Sequence, residues 1–243
     1  MPHSATPAGF TGFPAAALDF LHGLAEHQRR EWFDAHRQTY EQDVRAPMIA
    51  LVEALAPLLR RRRIPLLAEP KLALFRIHRD VRFAADKRPY KTHAAAAFTR
   101  SGAKMDPGML YVHVDPLGCF AATGFYRPPP DALRALRRAL VERSDDWRAV
   151  LAALRRAGHV LEADEDALQR VPRGFEQVDD PGLRDWLRWK SFIVLRRLGE
   201  DEIADPGLPA LLAEFASQSM PLLRFGWELV DRVRSETSPP SAP

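Results

Sequence analysis

Met109–Tyr126 reads MLYVHVDPLGCFAATGFY, and the way this stretch divides decides the fold class. Two runs rich in aliphatic and aromatic residues flank Asp115-Pro116-Leu117-Gly118, where Asp, Pro and Gly occupy the places a type I turn favours. The pattern predicts strands over Met109–Val114 and Cys119–Tyr126, joined as a hairpin. Working outward, a period of two begins at Lys71. Ala73, Phe75, Ile77, Val81 and Phe83 fall on one strand face, and Leu72, Leu74, Arg76, His78, Asp80 and Arg82 on the other. A further strand is expected over Ala94–Arg100, and Lys190–Leu198 (KSFIVLRRL) is strand-like. That makes at least four strands, mostly antiparallel.

Helical periodicity surrounds these strands. Pro14–Gln28 repeats Leu18, Leu21 and Ala25, with Phe20 and Leu24 beside them. From Asp34 to Arg62 the stripe is Tyr40, Val44, Met48, Leu51, Val52, Leu55, Leu58 and Leu59. Its phase survives Pro47, so the proline should kink the helix or separate two nearly coaxial pieces. Helices are also expected over Asp131–Leu140, Asp145–Arg156, Leu183–Trp189, Leu208–Ser219 and Leu222–Arg234. Ser144 is placed to cap the second of these and Gly158 to end it. The fold class is therefore α+β: a mostly antiparallel sheet of four or more strands, packed by helices from both the N- and C-terminal segments. With no internal repeat and no composition break, residues 13–234 read as one domain, with flexible tails over 1–12 and 235–243.

Composition narrows the setting. Apolar residues make up 46% of the 243 and charged residues 28%, which suits an ordinary water-facing protein. The N-terminus lacks a basic region followed by an apolar run. The longest weakly charged stretch, Gly108–Tyr126, is broken by Asp115 and its turn, so no membrane partner is expected. The single cysteine, Cys119, forms no intramolecular disulfide and reads as a small buried hydrophobe. The cytoplasm is the expected compartment. The net charge is +3, but Arg60–Lys104 holds thirteen Arg or Lys against Glu69, Asp80 and Asp86. This local excess of ten leaves −7 for the rest of the chain.

Phe75–His93, FRIHRDVRFAADKRPYKTH, carries much of that charge. Together with REWFDAHR (Arg30–Arg37), PGMLYVHV, GCFAATGFY, RVPRGFE (Arg170–Glu176), LRWKSF (Leu187–Phe192) and MPLLRFGW (Met220–Trp227), it resembles the conserved hypothetical bacterial family called domain of unknown function 2461. The resemblance spans roughly Phe13 to Asp231 and implies one domain. It implies no catalytic residue, substrate or cofactor.

The residues themselves point to anion binding. Arg76, His78, Asp80 and Arg82 project in one direction at alternate residues of the expected strand, followed by the loop Asp86, Lys87, Arg88, Pro89, Tyr90, Lys91 and Thr92. Arg, Lys, Tyr and Thr together offer the forked, point-charge and hydroxyl donors that phosphate oxygens need. Arg79 falls on the apolar face, so either a bulge turns it out or it meets a carboxylate. The expected anion site is Arg76, His78, Arg79, Asp80, Arg82, Asp86, Lys87, Tyr90 and Lys91, and its ligand a small phosphorylated or nucleotide-like molecule, with catalysis left open. Sequence-tolerant RNA or DNA binding is the second reading, and docking of an acidic protein partner the third. His78, His93 and His113 lack short ligand spacing and lie among cations, so no metal site is expected. No G-x-G-x-x-G, Walker or G-x-S-x-G motif is present, and no cofactor is expected. Trp32, Phe33, Trp186, Trp189, Phe192, Phe225 and Trp227 recur with Leu and Val and read as core rather than as a base-stacking platform.

Overall fold

The hairpin forms as expected: β2 (Met109–Val114) and β3 (Cys119–Phe125) flank a turn closed by Gly118 N–H donating to the Asp115 carbonyl at 3.0 Å. In this computed structural model, which describes residues 9–82 and 85–237, β1 (Ala94–Thr99) and β4 (Phe192–Leu198) complete an antiparallel sheet of order β1-β2-β3-β4. The fold class is α+β. Along β2, Leu110, Val112 and Val114 are buried while Tyr111 and His113 share the opposite, half-buried face. That parity is what later brings His113 to the site.

The expected strand over Lys71–Phe83 does not form. Its beginning is a helical turn, α5 (Pro70–Ala73), and Phe83 lies outside the described residues. Only isolated bridges follow, Leu74 to Ala96 and His78 to Tyr90. Two short arms do pair, with Arg79 N–H donating to the Pro89 carbonyl and Lys91 N–H to the Ile77 carbonyl, each at 2.8 Å. Pro89 has no N–H to return, so the ladder stops there. Yet burial still alternates: Ile77 is buried and Arg79 half-buried, while Arg76, His78, Asp80 and Arg82 are exposed. The period of two was real, and a strand was the wrong inference from it.

The described chain divides into two compact units, with crossings after residues 104, 109, 121, 195 and 215. Crossings this frequent leave no composition break to mark a boundary in the sequence.

The first unit holds residues up to 104, 110–121 and 196–215. Its helices begin with α1 (Ala15–Glu26), which buries Ala17, Phe20, Leu21 and Leu24. The short α2 (Arg30–Ala35) and α3 (Arg37–Thr39) follow. At Pro47, where a kink or two nearly coaxial pieces were expected, the helix changes type. Tyr40–Arg45 is a π-helical turn in which Ala46 N–H reaches back five residues to the Glu41 carbonyl, and α4 (Ala46–Arg61) starts around the proline. A wider turn accommodates the donor that proline lacks. α4 buries Met48, Leu51, Val52, Leu55 and Leu59 and packs on β1 and α5. Every residue of β1 is buried, and its four alanines keep the helix–strand approach close. α4 ends in a left-handed Arg63 (φ 55°), with Ile64 N–H donating to Leu59 and Arg63 N–H to Arg60, both at 3.0 Å. This is the Schellman pattern without its usual glycine.

The second unit holds residues 105–109, 122–195 and those from 216 onward. Here α6 (Pro130–Glu142), α7 (Ser144–Arg156) and α11 (Met220–Thr237) pack together, with α8 (Pro181–Arg188) against α6. Trp147 of α7 is 1% exposed and meets Trp186, Phe192 and Phe225 at ring-centroid distances of 5.6–5.8 Å. Ser144 does not cap α7. It lies inside the first turn behind Arg143, and its hydroxyl accepts from Arg148 instead. Asp180 does cap α8, accepting from Gly182 and Leu183 N–H. A tight cluster joins four separate sequence stretches. Trp227 Nε1 donates to the Pro107 and Gly108 carbonyls at 3.1 and 3.2 Å. The Cβ that Gly124 (φ 131°) lacks would stand 2.2 Å from the Phe192 carbonyl oxygen, and that of Gly226 would stand 2.2 Å from the Phe125 ring. Two further helices, α9 (Glu200–Ala204) in the first unit and α10 (Leu208–Gln218), complete the element list, α9 unanticipated by the sequence reading. Among the described residues no helix is long and apolar enough to cross a membrane.

Candidate functional site

A cleft of about 820 Å³ opens in the first unit, between the π turn and α4 on one side and Glu69–His78 and His93–Ala95 on the other. Phe33, Tyr40 and Phe75 give it aromatic walls, and Arg37, Arg45, Lys71, Arg76, Glu41, Glu53 and Glu69 line it with charge. Several of these charges are already spent on neighbours one helical turn away: Arg37 bonds Asp34 and Arg45 bonds Glu41.

The nine residues expected to hold an anion separate into three groups. Arg79, Asp80, Arg82, Asp86 and Lys87 are absorbed by their own loop. Arg82 forks onto Asp80, Arg79 and Arg88 share Asp86, and Lys87 Nζ donates to the Val81 carbonyl. Arg88 first, then Arg79, hold the Asp86 carboxyl far below the usual carboxylate range. Arg79 therefore meets a carboxylate, in a half-buried pair at 2.6 Å. Tyr90 belongs to the core: it is 4% exposed, stacks on Phe33 at 4.6 Å, and its N–H donates to Gln28 Oε1 at 3.1 Å. Only Arg76, His78 and Lys91 lie at or beside the cleft.

Around Phe75 the charge is not cancelled. Lys91 Nζ lies 4.8 Å from the centre of the Phe75 ring and Lys104 Nζ lies 5.6 Å from it. Among the described residues, neither lysine nor Arg76 has a carboxylate within ion-pair distance. Burial pushes the Lys91 ammonium below the ordinary lysine range, and Arg76, Lys104 and Arg79 push it the same way. Two ammonium groups share one aromatic ring, with guanidinium groups nearby and, among the described residues, no carboxylate ion-paired to either lysine. Lys104 was counted in the sequence only as part of a charge run. Its meeting with Lys91 depends on Phe75, a contact that spacing along the chain does not show.

Beside this group stands a second cluster that the sequence reading assembled differently. His93, which lines the cleft, meets His113 and Asp115, and one ligand-type atom from each lies within 4.8 Å of the others. Neither His78 nor Asp80 nor Asp86 takes part. The two imidazole rings are 4.3 Å apart, and Phe120 stacks on His113 at 4.6 Å. Burial lowers the pKa of His93 to about 4, with His113 and Lys91 acting in the same direction and Asp115 opposing. Burial lowers His113 as well, against the pull of Asp115. The clue available in the sequence was the parity of His113 and Asp115 on one hairpin arm. What was missing was the register that sets His93 beside them. Nearby Cys119 is buried, its thiol pushed up by that burial, which fits a packing role.

The chain is thus an α+β protein whose first unit presents a histidine–carboxylate cluster next to a group of uncompensated cations. It belongs to the family described as "Conserved hypothetical protein (DUF2461)", which matches residues 16–225. No curated protein and no solved structure matches it.

Proposed function

We propose that the cleft binds a small phosphorylated or nucleotide-like anion, with Arg76, Lys91 and Lys104 supplying its counter-charge. The observation that carries this reading is Lys91, a half-buried ammonium pushed below the ordinary lysine range by burial and by the cations Arg76, Lys104 and Arg79. A protein gains nothing in stability from holding like charges together, so an anionic ligand is the natural partner for them. The cleft volume suits a ligand of nucleotide size, and its aromatic walls suit an organic moiety attached to the phosphate. Neutralisation of the Arg79–Arg88 loop by Asp80 and Asp86 favours this reading over a long basic track for nucleic acid. With one cysteine, buried, we place the protein in the cytoplasm.

The test is a thermal-shift and calorimetric series with inorganic phosphate, pyrophosphate and nucleoside mono- and diphosphates at low ionic strength. A ligand at about a hundred times its Kd stabilises the fold by roughly 2.7 kcal/mol. Lys91→Met and Arg76→Met should each weaken binding about tenfold or more, since a charge-assisted bond is worth about 1.5–3 kcal/mol. If none of these anions shifts the melting temperature, or if both variants bind as well as wild type, the reading fails. Retention on heparin with no small-ligand shift would move the assignment to nucleic acid.

A further inference from the structure

We infer that His93, His113 and Asp115 form a binding site for one divalent transition-metal ion. The inference goes beyond the anion reading and does not depend on it.

The argument is in how each side chain is held. His113 stands on β2, and its Nδ1 is engaged by the Tyr111 hydroxyl at 3.0 Å. That leaves Nε2 as the ligating atom, 3.5 Å from Asp115 Oδ2. Asp115 opens the hairpin turn, where its Oδ1 accepts the Leu117 N–H at 2.8 Å. Its other oxygen, Oδ2, is the one facing both imidazoles, with His93 Nδ1 at 4.0 Å. In two of the three residues, then, one polar atom is tied to the protein and the other is aimed at a common point. This is the outer-shell arrangement that orients metal ligands. Phe120 stacks against the His113 ring and fixes its plane. The side chains are 28%, 15% and 12% exposed, so the point they face is sheltered, while His93 also lines the open cleft.

The dimensions are close to those a metal needs. Ligand atoms about 2.0–2.1 Å from a zinc-like ion lie roughly 3.0–3.4 Å apart. The present separations are 3.5 Å from His113 Nε2 and 4.0 Å from His93 Nδ1 to Asp115 Oδ2, with all three ligand atoms within 4.8 Å of one another. Two imidazoles and one carboxylate suit Zn(II), Co(II), Mn(II) or Fe(II) rather than Mg(II) or Ca(II). Three protein ligands leave at least one coordination position for an exogenous group, as catalytic rather than structural sites do. Lys91 is a cation that acts on His93, and a bound dication adds to its field.

The experiment uses the full chain, stripped with a chelator and dialysed, then titrated with Zn(II) and Co(II) alone in phosphate-free buffer. The expected result is one equivalent bound, a raised melting temperature, and a Co(II) visible spectrum of low-coordinate intensity. His113→Ala and Asp115→Asn should each weaken Zn(II) at least tenfold. Tyr111→Phe, which removes the orienting bond to His113, should weaken it by less, up to about tenfold. Asp115→Asn keeps the oxygen that accepts from Leu117, and circular dichroism confirms that each variant is folded. Lys91→Met leaves Zn(II) binding intact while weakening phosphate binding about tenfold or more, so the two proposals fail separately. Absence of stoichiometric binding, or equal affinity in folded His113→Ala and Asp115→Asn, overturns the site.

Discussion

Replacing Gly226 by alanine puts a methyl group where the Phe125 ring already stands. The new Cβ would lie 2.2 Å from Cε2 and from Cζ of that ring, and 2.9 Å from Cε1. Carbon–carbon contacts settle at about 3.5–4.0 Å, so ring and helix must separate by more than about an ångström. The ring has nowhere to go. Phe125 is fully buried, and the Gly108 backbone is close enough that a Cβ there would also stand 2.9 Å from Cε1. Overpacking of this kind costs about 1–3 kcal/mol, and more when the neighbours are backbone. Against it, alanine gains about 1 kcal/mol of helix propensity in α11. The net expectation is a loss of about 1–2 kcal/mol, read as a lower urea midpoint at unchanged slope. The companion variant isolates the cause. In a Phe125→Leu background the clash is relieved, so Gly226→Ala should there be neutral or stabilising, and the two changes couple strongly. Equal stability of Gly226→Ala and wild type, or the same penalty with and without the phenyl ring, would refute the reasoning.

Other expectations follow from the same geometry. Asp164→Ala should cost about 2 kcal/mol in chemical denaturation, because its carboxylate accepts the Lys190 and Ser191 N–H groups that open β4 and the Asp166 N–H of its own loop. A cost under a few tenths would mean those bonds are dispensable. The Gly199 N–H, and then Arg196, hold the Glu202 carboxyl below its ordinary 4.5. The folded form therefore binds fewer protons than the unfolded chain near that value. Its contribution is complete above about pH 4.5 and is lost as the pH falls through the depressed pKa. Glu202→Gln should flatten that part of the acid limb, and an unchanged limb would remove Glu202 from it. Arg79→Ala should lower the melting temperature only slightly, because Asp86 keeps Arg88; a large drop would show Arg79 supporting more than this pair. Salt should stabilise wild type relative to Lys91→Met by screening the cations around Phe75, and no such difference would argue against mutual repulsion.

The stretches that carried the family resemblance serve two different ends. Pro107-Gly108, Gly124-Phe125, Phe192 and Gly226-Trp227 meet one another in the second unit, where the three glycines make room for a ring or a carbonyl and the Trp227 indole binds two backbone oxygens. Phe75, Arg76, Ile77, His78, His93 and Phe33 instead line the cleft, with Lys91 beside the Phe75 ring. The resemblance alone did not distinguish packing residues from cleft residues.

The sequence by itself determined the hairpin, β1, β4, most of the helices and the α+β class, because these rest on periodicity and turn chemistry within a few neighbouring residues. It also located the excess of positive charge. Only the tertiary structure decided which of those charges matter. Arg82 and Arg79 find acids two to seven residues away, whereas Lys91 and Lys104 are brought to one ring by the chain's return and, among the described residues, form no ion pair. Likewise, alternation from Lys71 showed which side chains face inward but not that Pro89 would end the ladder. The gathering of His93 with His113 and Asp115 depends on β1 lying beside β2. Local forces are written in consecutive residues; the sum of fields and the meeting of distant side chains exist only once the chain has closed on itself.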